Sequence, residues 1–179
     1  GDVYKRQALV ESAPERILAE LQRLVKGTHA DHSLDLLKRW QLLQPWGTTP
    51  QTLSKHDTTL LRAAEVAVAL PLARLTNLIS DDGLKRLKAS KVLQQRCARL
   101  RHWILQAKQQ PEALPEQERL QLHLELEADL AALILDLPME LQPQWLKRWR
   151  DPNDRLFHPT MPLDLSLIHI SEPTRRRGI

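Results

Sequence analysis

Residues 80–110 read SDDGLKRLKASKVLQQRCARLRHWILQAKQQ, and this stretch carries the clearest helical pattern in the 179-residue chain. Its apolar residues recur at helical spacing, and they are Ala89, Leu93, Cys97, Leu100, Ile104 and Ala107. Ser80 and Ser90 stand where N-cap residues are expected. The pattern therefore predicts a short basic helix through Lys88, followed by one long amphipathic helix.

The charges of this stretch all have one sign. From Gly83 to Gln110 there is no Asp or Glu, whereas eight residues are basic: Lys85, Arg86, Lys88, Lys91, Arg96, Arg99, Arg101 and Lys108. A helix that needs only solubility usually mixes both signs. A single sign indicates an anionic partner, which is either an acidic element of the same protein or a polyanion such as RNA.

Residues 111–142 reverse the charge, with eight acidic residues and one basic residue, Arg119. Their pattern predicts one helix over residues 115–136, with its carboxylates facing solvent. In one interpretation this helix packs antiparallel to the basic helix, and each surface ion pair contributes about 0–1 kcal/mol. In the other, seven cations face outward along a phosphate backbone: Lys85, Arg86, Lys88, Lys91, Arg96, Arg99 and Arg101. The residues alone leave both interpretations open.

The rest of the chain also predicts helices, because it has only five Gly and almost no strand signals. Expected helices cover residues 12–26, opened by a Ser12–Glu15 capping box, then 33–44 and 144–150. A further helix, opened by Asp57 or Thr58, should be the most buried one and should be kinked or divided by Pro71. The predicted fold is all-α, a multi-helix, bundle-like array of about six to eight helices.

The two ends do not continue the patterns beside them. Residues 1–7 and 165–179 look like translated sequencing-adaptor remnants, so we leave them out of the fold prediction. They carry three of the chain's four net positive charges, which leaves residues 8–164 nearly neutral. Where the charge lies therefore matters more than its total. We expect residues 8–164 to be an internal piece of a longer protein.

Compartment and catalytic motifs are only weakly indicated. One cysteine, Cys97, and no apolar run of about 18 residues predict a cytoplasmic protein. A metal-dependent His-Asp phosphohydrolase would use the following candidates: His29 or His32, the His56-Asp57 pair, and Asp81 or Asp82. Polar residues flank the pair, and the acids stand at helix starts, so capping is the favoured interpretation and no metal ligand is assigned.

Four stretches resemble the C-terminal helical half of bacterial CCA-adding tRNA nucleotidyltransferases and the related poly(A) polymerases, in a form similar to cyanobacterial members. They are SAPERILAELQRLV (12–25), LDLLKRWQLLQPW (34–46), LARLTNLISDDGLKRLKASKVLQQRCARLRHW (72–103) and DPNDRLFHPTMPLD (151–164). In the second stretch, Trp40-Gln41 stands where the family usually has a Gly. The resemblance implies a neck-like helical hairpin at 8–47, a helical body with the basic helix at 48–110, and an acidic helix with the start of a tail at 111–164.

The resemblance also implies a function for the parent protein. A catalytic head with Mg²⁺ would transfer nucleotides from CTP and ATP to the 3′ end of tRNA, while the helical parts hold the tRNA backbone. Residues 8–164 contain no Gly-Ser strand followed by Asp-x-Asp, so no catalytic residue and no cofactor are assigned to them, and the piece alone should be inactive. Glu15, Arg16 and Glu20 match a motif credited with bracing the neck. The contrasting hypothesis is a helical interaction or structural module without an RNA role.

Overall fold

The structure is a computed structural model, and it describes residues 12–28, 30–39, 42–46, 56–109, 115–155 and 157–158. Within these ranges it contains helices and no β-strand, which confirms the all-α prediction. The α-helices are α1 Ala13–Val25, α2 Ala30–Arg39, α3 Ala63–Leu78, α4 Asp81–Arg86, α5 Lys91–Gln109, α6 Glu116–Leu126, α7 Leu130–Asp136 and α8 Gln142–Arg150. Two 3-10 turns span Gln44–Trp46 and Glu127–Asp129.

Three helices begin at the serines that the sequence indicates. Ser12 Oγ accepts a hydrogen bond from the backbone N–H of Glu15 (3.4 Å), at the start of α1. Ser80 does the same for Gly83 (3.0 Å) and Ser90 for Leu93 (3.1 Å). Each side chain satisfies one of the backbone donors that a helix start leaves without an intrahelical partner. The predicted starts of α1, α4 and α5 are confirmed.

The core lies where α3, α5 and α7 meet. The buried residues of α3 all lie from Ala69 onward, and α7 packs along this part of the helix. α7 is apolar on nearly all sides, and five of its seven residues are buried. The buried face of α5 consists of Cys97, Leu100, Trp103 and Ala107, of which Trp103 was not in the predicted stripe. α1 closes the other side of α3 with Leu18, Leu21 and Val25.

The second and third helices depart from their predicted bounds. α2 spans Ala30–Arg39 instead of 33–44, with Asp31 in its first turn and Lys38 and Arg39 in its last, as the helix dipole favours. α3 begins at Ala63, because the Asp57 carboxylate accepts hydrogen bonds from the N–H and hydroxyl of Thr59 and so makes a turn instead of a helix cap.

Pro71 does not divide α3, which continues to Leu78. A proline inside a helix removes its own N–H donor, here the bond to the Ala67 carbonyl, and its ring crowds that carbonyl, but packing of the second half of α3 maintains the helix. α3 was expected to be the most buried helix, but seven of its sixteen residues are buried, all from Ala69 onward, against five of seven in α7. Val68 is 65% exposed, whereas Ala73 and Leu78 are fully buried.

The predicted single acidic helix is in fact two helices. The 3-10 turn Glu127–Asp129 separates α6 from α7, and Leu126 and Asp129 leave helical dihedrals with φ of −119° and −115°. This change of direction lets the apolar α7 lie against both α3 and α5. It also buries Asp129 and Asp136, two carboxylates that were expected to face solvent. Among the described residues, no helix has the length and apolar character to cross a membrane.

Candidate nucleic-acid interface

The basic helix α5 has one buried face, two flanks that contact other helices, and one face in solvent. The cations of α5 lie on the two flanks and on the solvent face. α6 and the turn before α7 pack along the first flank, and the end of α3 and α4 along the second. The two interpretations left open by the sequence therefore apply to different residues of the same helix.

The first flank is held by acidic residues. Arg96 makes a bidentate pair with Asp129, with Nε to Oδ2 at 3.0 Å and Nη2 to Oδ1 at 2.8 Å. The Asp129 side chain is 9% exposed and that of Arg96 is 40% exposed. The hydrogen bonds to Asp129 raise the pKa of Arg96 and outweigh the opposing effect of its partial burial. Arg96 therefore ties α5 to the α6–α7 turn.

Trp103 lies on the same side of α5, and its indole N–H donates to Glu125 Oε2 (2.8 Å). Partial burial raises the pKa of Glu125, but hydrogen bonds from Gln121 and Trp103 lower it, and the net pKa lies below the usual value. The indole is 2% exposed, so it has no free face on which a nucleobase could stack. Of the charge pairing expected between the basic and acidic helices, the described residues show one ion pair, Arg96–Asp129, whose acid lies in the turn after α6, and this hydrogen bond from Trp103 to Glu125.

The second flank is held by Arg101. One of its terminal nitrogens, Nη2, donates to the backbone carbonyls of Thr76 (2.9 Å) and Ile79, and the other, Nη1, pairs with Asp81. Carbonyls at a helix C-terminus have no intrahelical donor, and a guanidinium satisfies them well. Arg101 therefore links α5 to the end of α3 and to the start of α4. Its side chain is only 23% exposed.

Arg86 and Lys88 form weaker contacts around α4. Arg86 Nε pairs with Asp82 Oδ2 one turn earlier (2.9 Å), and both side chains are more than half exposed. Lys88 Nζ lies 3.9 Å from Glu15 Oε1, and the Lys88 backbone has a φ of 58°, which ends α4 in the left-handed region. These exposed pairs constrain the side chains little.

The solvent face of α5 carries cations without any carboxylate. We call the exposed residues Lys91, Gln95, Ala98, Arg99 and His102 the α5 crest. They follow one another at helical spacing of three, four or one residues, so they share one side of the helix. Neither Lys91 nor Lys85, which is exposed on α4, makes an ion pair with another described residue. Arg99 is exposed and lies within electrostatic range of Glu125.

The proposed neck-bracing residues lie on α1. The Glu15 backbone N–H donates to Ser12 Oγ, and Ser12 Oγ donates to Glu15 Oε1 (3.1 Å), so only the Ser12 half of the predicted capping box is formed among the described residues. Glu20 pairs with Arg23 three residues on (2.7 Å), and both side chains are largely exposed. Arg16 and Glu20 border an apolar groove of about 700 Å³ between α1 and Leu37 of α2. Glu15 is not among the residues that line this groove.

The His-Asp candidates are not brought together as a metal site would require. His56 turns away from Asp57, and its Nε2 forms a hydrogen bond with Asp136 Oδ1 (2.6 Å), while the Asn77 amide donates to the same oxygen (2.7 Å). Both ionisable side chains are at most 2% exposed, and burial raises the pKa of Asp136. His29 lies outside the described residues. In the part of the chain that is described, no three His, Cys, Asp or Glu side chains are grouped to hold a metal ion.

The sequence interpretation missed Asp136 because it counted the acidic residues of 111–142 as one solvent-facing face. A signal was present, since Asp136 is enclosed by the apolar run LAALILDL, and an acid inside such a run is expected to be buried and paired. Its partner His56 lies 80 residues earlier, beyond any local pattern.

Comparison with known proteins identifies no relative: no family model, curated protein or solved structure matches the chain.

Proposed function

We propose that this chain is a helical, RNA-holding part of a tRNA nucleotidyltransferase, and that the α5 crest and Lys85 contact the phosphate backbone. One observation carries the RNA contact. The solvent face of α5 has cations and no carboxylate, although acidic residues are plentiful nearby and pair with both flanks of the helix. Cations that neutralise phosphates in this way supply most of the affinity for a nucleic acid.

The seven cations of the original prediction take different roles in this proposal. Lys85, Lys91 and Arg99 face the RNA, because they are exposed and make no close ion pair with a described residue. Arg96 and Arg101 hold the fold, because carboxylates and carbonyls already use their donors. Arg86 and Lys88 can exchange their exposed pairs for phosphate at little cost, because such pairs are weak.

The identity of the RNA comes from the resemblance of the four stretches to CCA-adding enzymes and their relatives. In that setting the tRNA 3′-hydroxyl attacks the α-phosphate of CTP or ATP, assisted by Mg²⁺ in a catalytic head. The described helices would supply binding and orientation, and they would not contribute reacting groups. His102, exposed at the far end of the crest, would extend the contact along the backbone.

A helical module without an RNA role is the second candidate, and the seam between α5 and α6 favours it. Arg96–Asp129 and Trp103–Glu125 satisfy basic and polar groups of α5 within the protein. This candidate predicts that the remaining cations of the crest serve only solubility.

Titration of the chain with tRNA separates the two candidates. The wild type should bind at low salt and lose about 10-fold or more in affinity between roughly 50 and 200 mM salt, since several phosphates are neutralised. A variant with Lys85→Glu, Lys91→Glu and Arg99→Glu should bind far more weakly while its circular dichroism spectrum stays helical. The matched control carries Lys26→Glu, Lys147→Glu and Arg155→Glu, which change the same charge at exposed positions elsewhere. Equal loss in both variants, or no binding by the wild type at low salt, would contradict the proposal.

A further inference from the structure

A tryptophan that the contacts described above do not use lies beside the cations of α4. Trp46 is the last residue of the 3-10 turn Gln44–Trp46, and this turn packs against α4. Arg86 of α4 donates a long hydrogen bond from Nη1 to the carbonyl of Pro45, the residue before Trp46 (3.5 Å). The turn therefore places an indole next to one of the cations that the sequence assigned to RNA.

Trp46 offers an aromatic surface that the other described tryptophans do not. Trp103 and Trp145 are at most 2% exposed, and Trp149 already has the Arg150 guanidinium 4.8 Å from its ring centroid. Trp46 is partly exposed and packs the rest of its surface against the core. Its indole makes no ring contact or hydrogen bond with another described residue. The exposed part of the ring is therefore available to a stacking partner.

The cations beside this indole keep donors for a phosphate. Arg86 uses Nε for Asp82 (2.9 Å) and Nη1 for the Pro45 carbonyl, and its Nη2 has no partner among the described residues. The side chains of Arg86 and Asp82 are both more than half exposed, so their pair is weak. Lys85, the neighbouring residue of α4, is exposed and makes no ion pair with a described residue. Asp82 neutralises one of the two charges, and the other remains for an anion.

This arrangement differs from the α5 crest in the nucleic-acid structure that it fits. The crest has the cations Lys91 and Arg99, but the indole of the same helix, Trp103, is buried. Cations alone contact phosphates of paired and unpaired strands alike. An aromatic ring beside cations suits an unpaired nucleotide, because a base must leave its own helical stack before it can lie on a side chain.

We infer that Trp46, Arg86 and Lys85 form a binding site for one unpaired nucleotide of the RNA. The base stacks on the Trp46 indole, and the phosphate lies at the two cations. Stacking uses the face of a base and not its hydrogen-bonding edge, so the site accepts all four bases. The inference rests on the RNA-holding function proposed above and extends it from the phosphate backbone to an exposed base.

Titrations with tRNA and with a blunt-ended RNA duplex test this site in the Trp46→Leu and Trp46→Phe variants. Leucine keeps an apolar side chain against the core but has no aromatic face, whereas phenylalanine keeps both. Trp46→Leu should weaken tRNA binding about five- to 100-fold, and Trp46→Phe should stay within about threefold of the wild type. The slope of log affinity against log salt should be the same for Trp46→Leu and the wild type, because stacking neutralises no phosphate. The duplex has no unpaired nucleotide, so the wild type and Trp46→Leu should bind it equally.

Three results would overturn the inference while the crest proposal stands. They are equal tRNA affinity of the wild type and Trp46→Leu, equal weakening by the leucine and phenylalanine variants, and the same loss by Trp46→Leu on the blunt duplex as on tRNA. Urea midpoints of both variants show whether either change acts through the fold. No tRNA binding by the wild type at low salt would contradict the proposed function itself, and this site with it.

Discussion

Replacement of Arg96 by alanine should destabilise the fold, whereas the same replacement of Arg99, three residues along the same helix, should not. Arg96 holds Asp129 through two charge-assisted hydrogen bonds, and Asp129 has a side chain that is 9% exposed. Without the guanidinium, the carboxylate stays largely buried and unpaired. Arg99 is exposed and has no such bond.

The expected magnitude follows from the exposure of the two partners. A hydrogen bond to a charged group contributes about 1.5–3 kcal/mol, and breaking a fully buried pair costs about 3–5 kcal/mol. The Arg96 side chain is 40% exposed, so water can reach part of the site. The loss of stability should therefore lie in the range for a hydrogen bond to a charged group and not in the range for a fully buried pair. We expect Arg96→Ala to lower the free energy of unfolding by about 2 kcal/mol and Arg99→Ala by less than about 0.5 kcal/mol.

Urea unfolding followed by circular dichroism measures the difference. With a slope of about 2 kcal/mol per molar, the midpoint of Arg96→Ala should fall by about 1 M. A double variant, Arg96→Met with Asp129→Leu, should recover most of the stability that Arg96→Ala loses, because no buried charge is left unpaired. The reasoning fails if Arg96→Ala and Arg99→Ala have equal midpoints, or if the double variant is as unstable as the sum of its single variants.

Three further predictions concern other contacts. The hydrogen bond from Arg150 lowers the pKa of Glu65 to about 2 from 4.5, so the carboxylate stabilises the folded state above about pH 4.5 and that contribution is lost as the pH falls toward 2. Glu65→Gln should therefore cost about 1 kcal/mol at pH 6 and nothing near pH 2, and a pH-independent difference in urea midpoint would disagree. His56→Ala should lower the free energy of unfolding by about 2 kcal/mol at pH 7, because Asp136 loses its buried partner. The control His102→Ala, on the exposed crest, should change it by less than about 0.5 kcal/mol. Equal thermal midpoints for the two variants would count against the buried pair. Ser90→Ala should cost about 1 kcal/mol through loss of the α5 N-cap, with exposed Gln95→Ala as the control, and an unchanged urea midpoint would show that the cap contributes nothing.

Local patterns predicted those parts of the fold that depend on neighbouring residues. The caps at Ser12, Ser80 and Ser90 act within three residues, and the sequence alone located them. The buried stripe through Cys97 and Leu100 follows from helical spacing alone. The cations of α5 are also visible in the local sequence. Their roles could not be predicted from it, because the partner of Arg96 lies 33 residues away.

Long-range packing explains the predictions that were wrong. Asp136 is buried because α7 lies against α3 and α5 and meets His56 from a distant segment. In the part of the chain that the structure describes, α7 packs on the second half of α3. The apolar first half of α3 is left largely exposed. The turn at Glu127–Asp129 depends on the same packing, since residues 115–136 in isolation favour one continuous helix. The apolar run around Asp136 indicates that this acid is buried, but no pattern within a single helix identifies its partner His56.

The central claim is that Lys85, Lys91 and Arg99 contact phosphates while Arg96 and Arg101 hold the fold. The most direct measurement is the salt dependence of tRNA affinity for the wild type and for the Lys85→Gln, Lys91→Gln, Arg99→Gln variant. If these three cations each neutralise one phosphate, the slope of log affinity against log salt should become shallower by about 2–3, with no change in the urea midpoint. An unchanged slope would contradict the account.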